Sequence, residues 1–160
     1  MKQLHVFRSI RFRHNQATVT IQFLTKRTMA SIPEDISNDA RFVAIEEGQV
    51  KVYQPASVFY NNVQEFNRDL SVLIIDTYIK NELWKNAKRS HSMAGRDIKI
   101  LDALSATGLR AVRYAKEIES EKRILVYGND ILPTAKEMIK KNAELNGVGE
   151  KVVATNEDAA

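Results

Sequence analysis

The stretch from Ile98 to Arg110, I-K-I-L-D-A-L-S-A-T-G-L-R, restricts the fold more than any other part of the chain. An apolar strand ends on an acid, Asp102, and runs into a loop of small residues before Gly108 opens a helix. An acid at a strand end can hold polar groups of a ligand. Small residues after it let the backbone come close, and the unpaired N–H groups of a helix start face the same place. The spacing argues against a dinucleotide. A G-x-G-x-x-G loop would cradle a pyrophosphate, but from Asp102 the pattern is D-x-L-x-A-x-G, with Leu104 and Ala106 where glycines would stand. A cofactor without phosphates fits better.

The pattern then repeats. Residues 123–128, R-I-L-V-Y-G, predict a second short strand ending at Asn129-Asp130, about twenty residues after the loop glycine, where an acid can grip ribose hydroxyls. Pro133 suits a first helical turn, and a helix over 133–146 places Ala135, Met138, Ile139 and Ala143 on one face before Asn146-Gly147 stops it. A third strand over 151–155 runs into Asn156-Glu157-Asp158-Ala159. Alternating strands and helices predict an α/β fold with a parallel, doubly wound sheet and ligands at the carboxyl ends of the strands. Any one of Asp102, Asp130 and Asp158, taken alone, is more often a helix cap or a solvated loop residue than a ligand contact. Their recurrence at one sheet edge is what caps alone do not require.

Upstream, 42–46 and 49–53 predict two strands around a Glu47-Gly48 turn, and 64–84 predicts one long helix. Phe66, Leu70, Leu73, Ile74, Thr77 and Tyr78 fall near one face of that helix, which is expected to pack on the core. Phe59-Tyr60-Asn61 lies in the connecting loop, either to stack on a base or to anchor the loop. Residues 85–97 read as a polar surface loop in which Lys85, Lys88, Arg89 and Arg96 are candidate phosphate contacts and His91 a surface residue.

Two phrases carry a family resemblance: V-F-Y-N-N-V-Q-E-F-N-R-D-L-S from Val58 to Ser71, and Asp102 to Arg110 taken with Asn129-Asp130. Together they closely resemble the tRNA guanine N2-dimethyltransferases that act on guanine 26, over roughly residues 45–160 and including the E-G-x-V segment around Gly48. The resemblance implies the amino-terminal part of a class I, Rossmann-like methyltransferase that uses S-adenosylmethionine and takes tRNA as its partner. It implies cofactor contacts from Arg68, Arg110, Asp130, Asp158 and Ala159, beside Asp102 and Gly108 of the loop itself. Without the family phrase, Arg68 would read as an exposed helix arginine paired with Glu65 or Asp69.

The implied reaction transfers methyl groups to the exocyclic N2 of guanine, needs no metal, and draws its proton acceptors from a D-P-[YF]-G loop that this family carries after a fourth strand. That loop is not among these residues, so no catalytic residue is assigned. The expectation is a chain truncated before the catalytic loop and inactive alone. The alternative is a non-catalytic fragment that binds tRNA or the full-length enzyme. A nicotinamide-dependent oxidoreductase would share the strand-loop-helix start but calls for a loop richer in glycine.

The first 28 residues hold Lys2, Arg8, Arg11, Arg13, Lys26 and Arg27, no acid, and interleaved Leu4, Phe7, Ile10 and Phe12, the composition of a mitochondrial presequence. A second start at Met29 would give a form lacking it, for the nucleus or cytosol. Of 24 Lys and Arg in the chain, these six leave eighteen against twenty acids, a net charge of −2, so the net +4 of the whole is mostly leader and not a nucleic-acid footprint. No apolar run is long enough for a membrane span, and the absence of cysteine excludes disulfides and cysteine-based zinc sites. The expected organisation is a presequence over 1–28, a flexible linker over 29–41, hairpin, long helix and polar loop over 42–97, and the first half of a methyltransferase domain over 98–160.

Overall fold

The computed structural model describes residues 32, 35–88 and 97–159, with the backbone alone at 83–88, and the backbone of two short segments nearer the amino terminus. The chain divides into two units, Met1–Ala30 and Ser31–Ala160. In the first, β1 (Arg11–His14) and β2 (Ala17–Thr20) pair antiparallel, with Arg11 opposite Thr20.

The second unit opens with turns in which Asp39 accepts from the backbone N–H and guanidinium of Arg41. Those bonds hold the Asp39 carboxyl down at about 2. Ile36, in the stretch read as a linker, is only 1% exposed, so packing begins before the first strand of this unit. A hairpin follows, β3 (Phe42–Glu47) and β4 (Val50–Pro55), closing at the predicted Glu47-Gly48 turn with Glu47 opposite Val50. One 3-10 turn leads into α1 (Glu65–Lys88).

The strands β5 (Ile98–Asp102), β6 (Ile124–Asn129) and β7 (Val152–Thr155) form a parallel sheet in the order β5-β6-β7, with Asp102 beside Gly128 and Asn129 beside Thr155. The crossovers are α2 (Leu109–Glu117) and α3 (Pro133–Leu145), which touch each other and so cover the same face. Ile100, Ile124 and Val126 point into this layer. There they meet Ala111, Val112 and Ala115 of α2, and the hairpin closes the core from outside with Ile45, Val50 and Val52. On the opposite face Leu101 and Val153 are exposed. Strands apolar on both sides belong to sheets covered on both faces, which is why these read as nearly unbroken hydrophobic runs.

The helix and strand expectations hold to within a few residues, but the buried face of α1 was misread. Phe66, Leu70, Leu73, Ile74 and Tyr78 are all exposed. The inward face is Arg68, Val72, Ile75 and Ile79, spaced as one helical stripe. Apolar residues surround this helix, so periodicity does not select a face. Selection comes from a buried carboxylate on the hairpin that needs a cation opposite it.

Candidate functional site

The loop after β5 is held by polar contacts with the end of β6. Ser105 donates its hydroxyl to Asp102 Oδ2 (2.7 Å) and its backbone N–H to the carbonyl of Asn129 (2.8 Å). Ala106 N–H donates to Asp130 Oδ2 (2.9 Å), and Leu132 N–H to Asp130 Oδ1 (3.0 Å). Asp130 thus fixes both the loop and the entry to α3, while each of its oxygens keeps a second lone pair for a ligand hydroxyl. Gly108 N–H closes the turn on the carbonyl of Ser105 (2.8 Å). Gly108 sits at φ +85°, and a Cβ there would lie 3.0 Å from Cα of Ile139, so a side chain would strain the backbone and force α3 to give way. Burial pushes the Asp102 carboxyl above its ordinary range, outweighing the Ser105 hydrogen bond and the charge of Arg110.

Asn129 ties in the third strand end. Its side-chain N–H groups donate to the carbonyls of Ala103 (3.2 Å) and Glu157 (2.9 Å), and its Oδ1 accepts from the Thr155 hydroxyl and Glu157 N–H. Asn156 donates to the carbonyl of Asp130 (2.7 Å). The edge therefore gathers Asp102, Gly108 and Asp130 in one hydrogen-bonded loop system, with Asp158 and Ala159 exposed on the segment after β7.

The two arginines lie differently. Arg110, in the first turn of α2, donates to the hydroxyl of Ser71 on α1 (2.9 Å). Arg68, one turn earlier on α1, is buried and committed elsewhere. Its Nε donates to both oxygens of Glu47 (2.8 and 2.9 Å), and its Nη2 to Glu47, the Tyr60 hydroxyl and the carbonyl of Asn61. Neither Glu65 nor Asp69 is its partner in these bonds; Asp69 pairs with Arg113 (2.8 Å). Arg113 also donates to Glu47 (2.7 Å) and grips Glu117 with two bonds. The Glu47 side chain is fully buried. Burial would raise its carboxyl, but bonds from Arg68, Arg113 and Tyr60 outweigh that and hold it below its ordinary value.

This cluster was not legible beforehand: Glu47 looked like an ordinary turn acid, and only its place before a glycine in the family phrase hinted at more. In the connecting loop, Tyr60 anchors to Glu47, Asn61 caps the 3-10 turn by accepting from Val63 N–H, and Phe59 is exposed. Arg89, His91 and Arg96 lie outside the described residues, as do the side chains of Lys85 and Lys88. Among the described residues no acid, histidine or cysteine cluster suits a metal, and no helix is long and apolar enough to cross a membrane.

A parallel sheet whose first strand ends on an acid, a loop glycine packed against α3 and a second acid at the neighbouring strand end match the Rossmann-like class I methyltransferase fold. Solved structures agree. A SAM-dependent methyltransferase from Agrobacterium tumefaciens superposes with a TM-score of 0.52 at 16% identity, covering 74% of this chain and 33% of that one. Trm5b from Pyrococcus abyssi gives 0.51 at 17% identity over 95% of this chain and 36% of that one. The family model described as N2,N2-dimethylguanosine tRNA methyltransferase matches residues 39–160, and the chain belongs to that family. It is 39% identical over 121 residues to the tRNA (guanine(26)-N(2))-dimethyltransferase of Methanosphaera stadtmanae, covering 71% of this chain and 27% of that protein. It is 40% identical over 130 residues to the Caenorhabditis elegans protein of the same name, covering 72% and 24%. The mitochondrial one of Saccharomyces cerevisiae is 35% identical over 155 residues, covering 74% and 27%. The chain thus spans about a quarter of the length of these relatives.

Proposed function

We propose that this chain supplies the S-adenosylmethionine-binding part of an enzyme that methylates N2 of guanine 26 in tRNA. The observation that carries the reading is the loop of residues 102–108 locked to Asp130, within a family match that runs over 39–160. The donor set fits this cofactor. Asp130 offers carboxylate acceptors to a ribose diol, and Asp158 stands at the next strand end for an adenine amino group. Asp102 and Gly108 shape the loop between them, and nothing in that loop has the glycine spacing of a pyrophosphate cradle. Arg110 reaches over the start of α2, where a charge-assisted bond to a carboxylate is open to it. Arg68 acts, on this reading, by holding the start of α1 beside that site from its ion pair with Glu47.

When bound, the cofactor supplies an electrophilic methyl group. The residues described here bind and orient it, and the reading assigns none of them the proton of the guanine amine. Residues 1–28 act as a mitochondrial presequence, in keeping with the name of the yeast relative, and a start at Met29 serves the nucleus or cytosol. Residues 42–97 form the hairpin and helix portion, and 98–160 the cofactor half-domain.

Isothermal calorimetry with S-adenosylhomocysteine, with NAD as control, tests the cofactor assignment; heat from NAD alone would refute it. Nucleoside mass spectrometry on tRNA from cells lacking the gene tests the reaction. Unchanged N2,N2-dimethylguanosine would sink it. The exposed apolar residues of α1 and of the open sheet face favour a second reading, in which these 160 residues alone bind without catalysing. The isolated chain is expected to methylate tRNA little or not at all under either reading; binding of S-adenosylhomocysteine by it favours the first, and binding of tRNA without that ligand favours the second.

A further inference from the structure

We propose that Asn142 is a positioning residue of the cofactor site, acting through the carbonyl of Thr107 to hold the loop of residues 103–108 in its receptive shape; the inference rests on the cofactor reading above. Asparagine is a poor choice in mid-helix, and a fully buried amide is costly unless bonded. Asn142 is 0% exposed in the middle of α3. Its bonding is divided between two distant segments. Oδ1 accepts from Tyr53 N–H (2.9 Å) and Nδ2 donates to the Tyr53 carbonyl (2.9 Å), so the amide pairs with β4 as a neighbouring strand would. Its other amide hydrogen goes to the carbonyl of Thr107 (2.8 Å).

One turn later Asn146 repeats the first half of this pattern on Lys51, accepting from its N–H (3.0 Å) and donating to its carbonyl (2.8 Å). The two asparagines thereby mask the outer edge of the hairpin. Among the bonds described, Asn146 makes none to the loop; its other donation is to the carbonyl of Asn142 (2.7 Å). The pair is a natural contrast, with the same clasp on β4 and only one member reaching the loop.

The Thr107 carbonyl shares a rigid peptide plane with Gly108 N–H, which donates to Ser105. Asn142 on one side and Ser105 on the other therefore fix that plane. Ile139, one turn before Asn142 on α3, presses on Gly108 and Gly128 at the same place. A left-handed backbone at Ala106 (φ +49°) persists only where its surroundings hold it. Asn142 supplies the polar part of that hold and makes the loop depend on a docked hairpin.

The test compares the full chain with Asn142→Ala, Asn142→Ser and Asn146→Ala by two readouts. These are hydrogen–deuterium exchange of the amides of residues 105–108 in the free protein, and the dissociation constant for S-adenosylhomocysteine. Losing one net hydrogen bond on the loop is expected to speed its exchange and weaken the ligand by about tenfold in Asn142→Ala, less in Asn142→Ser. Asn146→Ala is expected to lower the melting temperature yet stay within about twofold on both readouts. If Asn142→Ala does not fold, Asn142→Ser carries the comparison. Loop exchange and affinity in a folded Asn142 variant matching those of Asn146→Ala would overturn the proposal. If the unsubstituted chain fails to bind S-adenosylhomocysteine, the cofactor reading falls and takes the ligand half of this one with it; the exchange data still decide whether Asn142 holds the loop.

Discussion

Replacing Glu47 with alanine removes the carboxylate that joins hairpin, α1 and α2. Its side chain has no solvent exposure, and those of its partners Arg68 and Arg113 are 10% and 4% exposed. The loss is unequal for the two. Arg113 keeps both bonds to Glu117 and its pair with Asp69, whereas Arg68 keeps only the Tyr60 hydroxyl and Asn61 carbonyl among the bonds described. One guanidinium is thus left buried without a counter-ion, and breaking a buried pair in this way costs about 3–5 kcal/mol. Adding the separate hydrogen bonds instead would overshoot, because they belong to one coupled group. For a folded unit of this size the loss corresponds to a melting temperature lower by about 10–20 °C. Urea titration followed by circular dichroism measures it. Changing Arg68 to Met in the same background removes the stranded charge and is expected to recover at least about 2 kcal/mol. A cost below about 1 kcal/mol for Glu47→Ala, or a double variant no better than the single, would refute the argument that burial makes this carboxylate indispensable.

Acid should act through the same group. The folded Glu47 carboxyl lies below its ordinary value of 4.5, so its contribution is complete above that pH and is lost as pH falls through the folded value; Glu47→Gln should flatten this acid limb in pH-dependent melting curves. Asp102 is raised, so it opposes folding at neutral pH, and Asp102→Asn should melt at the same or a higher temperature at pH 7 while binding S-adenosylhomocysteine more weakly. Gly108→Ala meets a left-handed φ and the backbone of Ile139 together, a cost of about 2 kcal/mol or more in urea titration, with loss of ligand binding. The two faces of α1 should separate cleanly in the same titrations: Ile79→Ala costs about 2–4 kcal/mol and Leu73→Ser stays within about 0.5.

Much of the half-domain was legible. The helix stop at Asn146-Gly147 needs only a residue that accepts positive φ, and Gly147 takes φ +68°. The three strands are short apolar runs bounded by polar turns, so their ends follow from local pattern. The acids Asp102 and Asp130 could be placed at one edge because parallel strands in a right-handed sequence of crossovers all end on the same side. The face of α1 could not be read, since Leu73 and Ile79 are equally apolar and only a partner distinguishes them. Arg68 was singled out through a phrase, Tyr60 through its loop, and neither by its actual bond to Glu47.

Local chemistry along the chain decided what short-range physics can decide: where backbone turns, which segments extend or coil, and where an acid meets a strand end. Asn142, Glu47 and Arg113 belong to another category. Glu47 and Arg113 stand 66 residues apart, and Asn142 and Tyr53 stand 89 apart, so no window along the chain contains either pair. A buried amide or carboxylate is favourable only where its partners converge, and that convergence exists only once the hairpin, α1, α2 and α3 have packed.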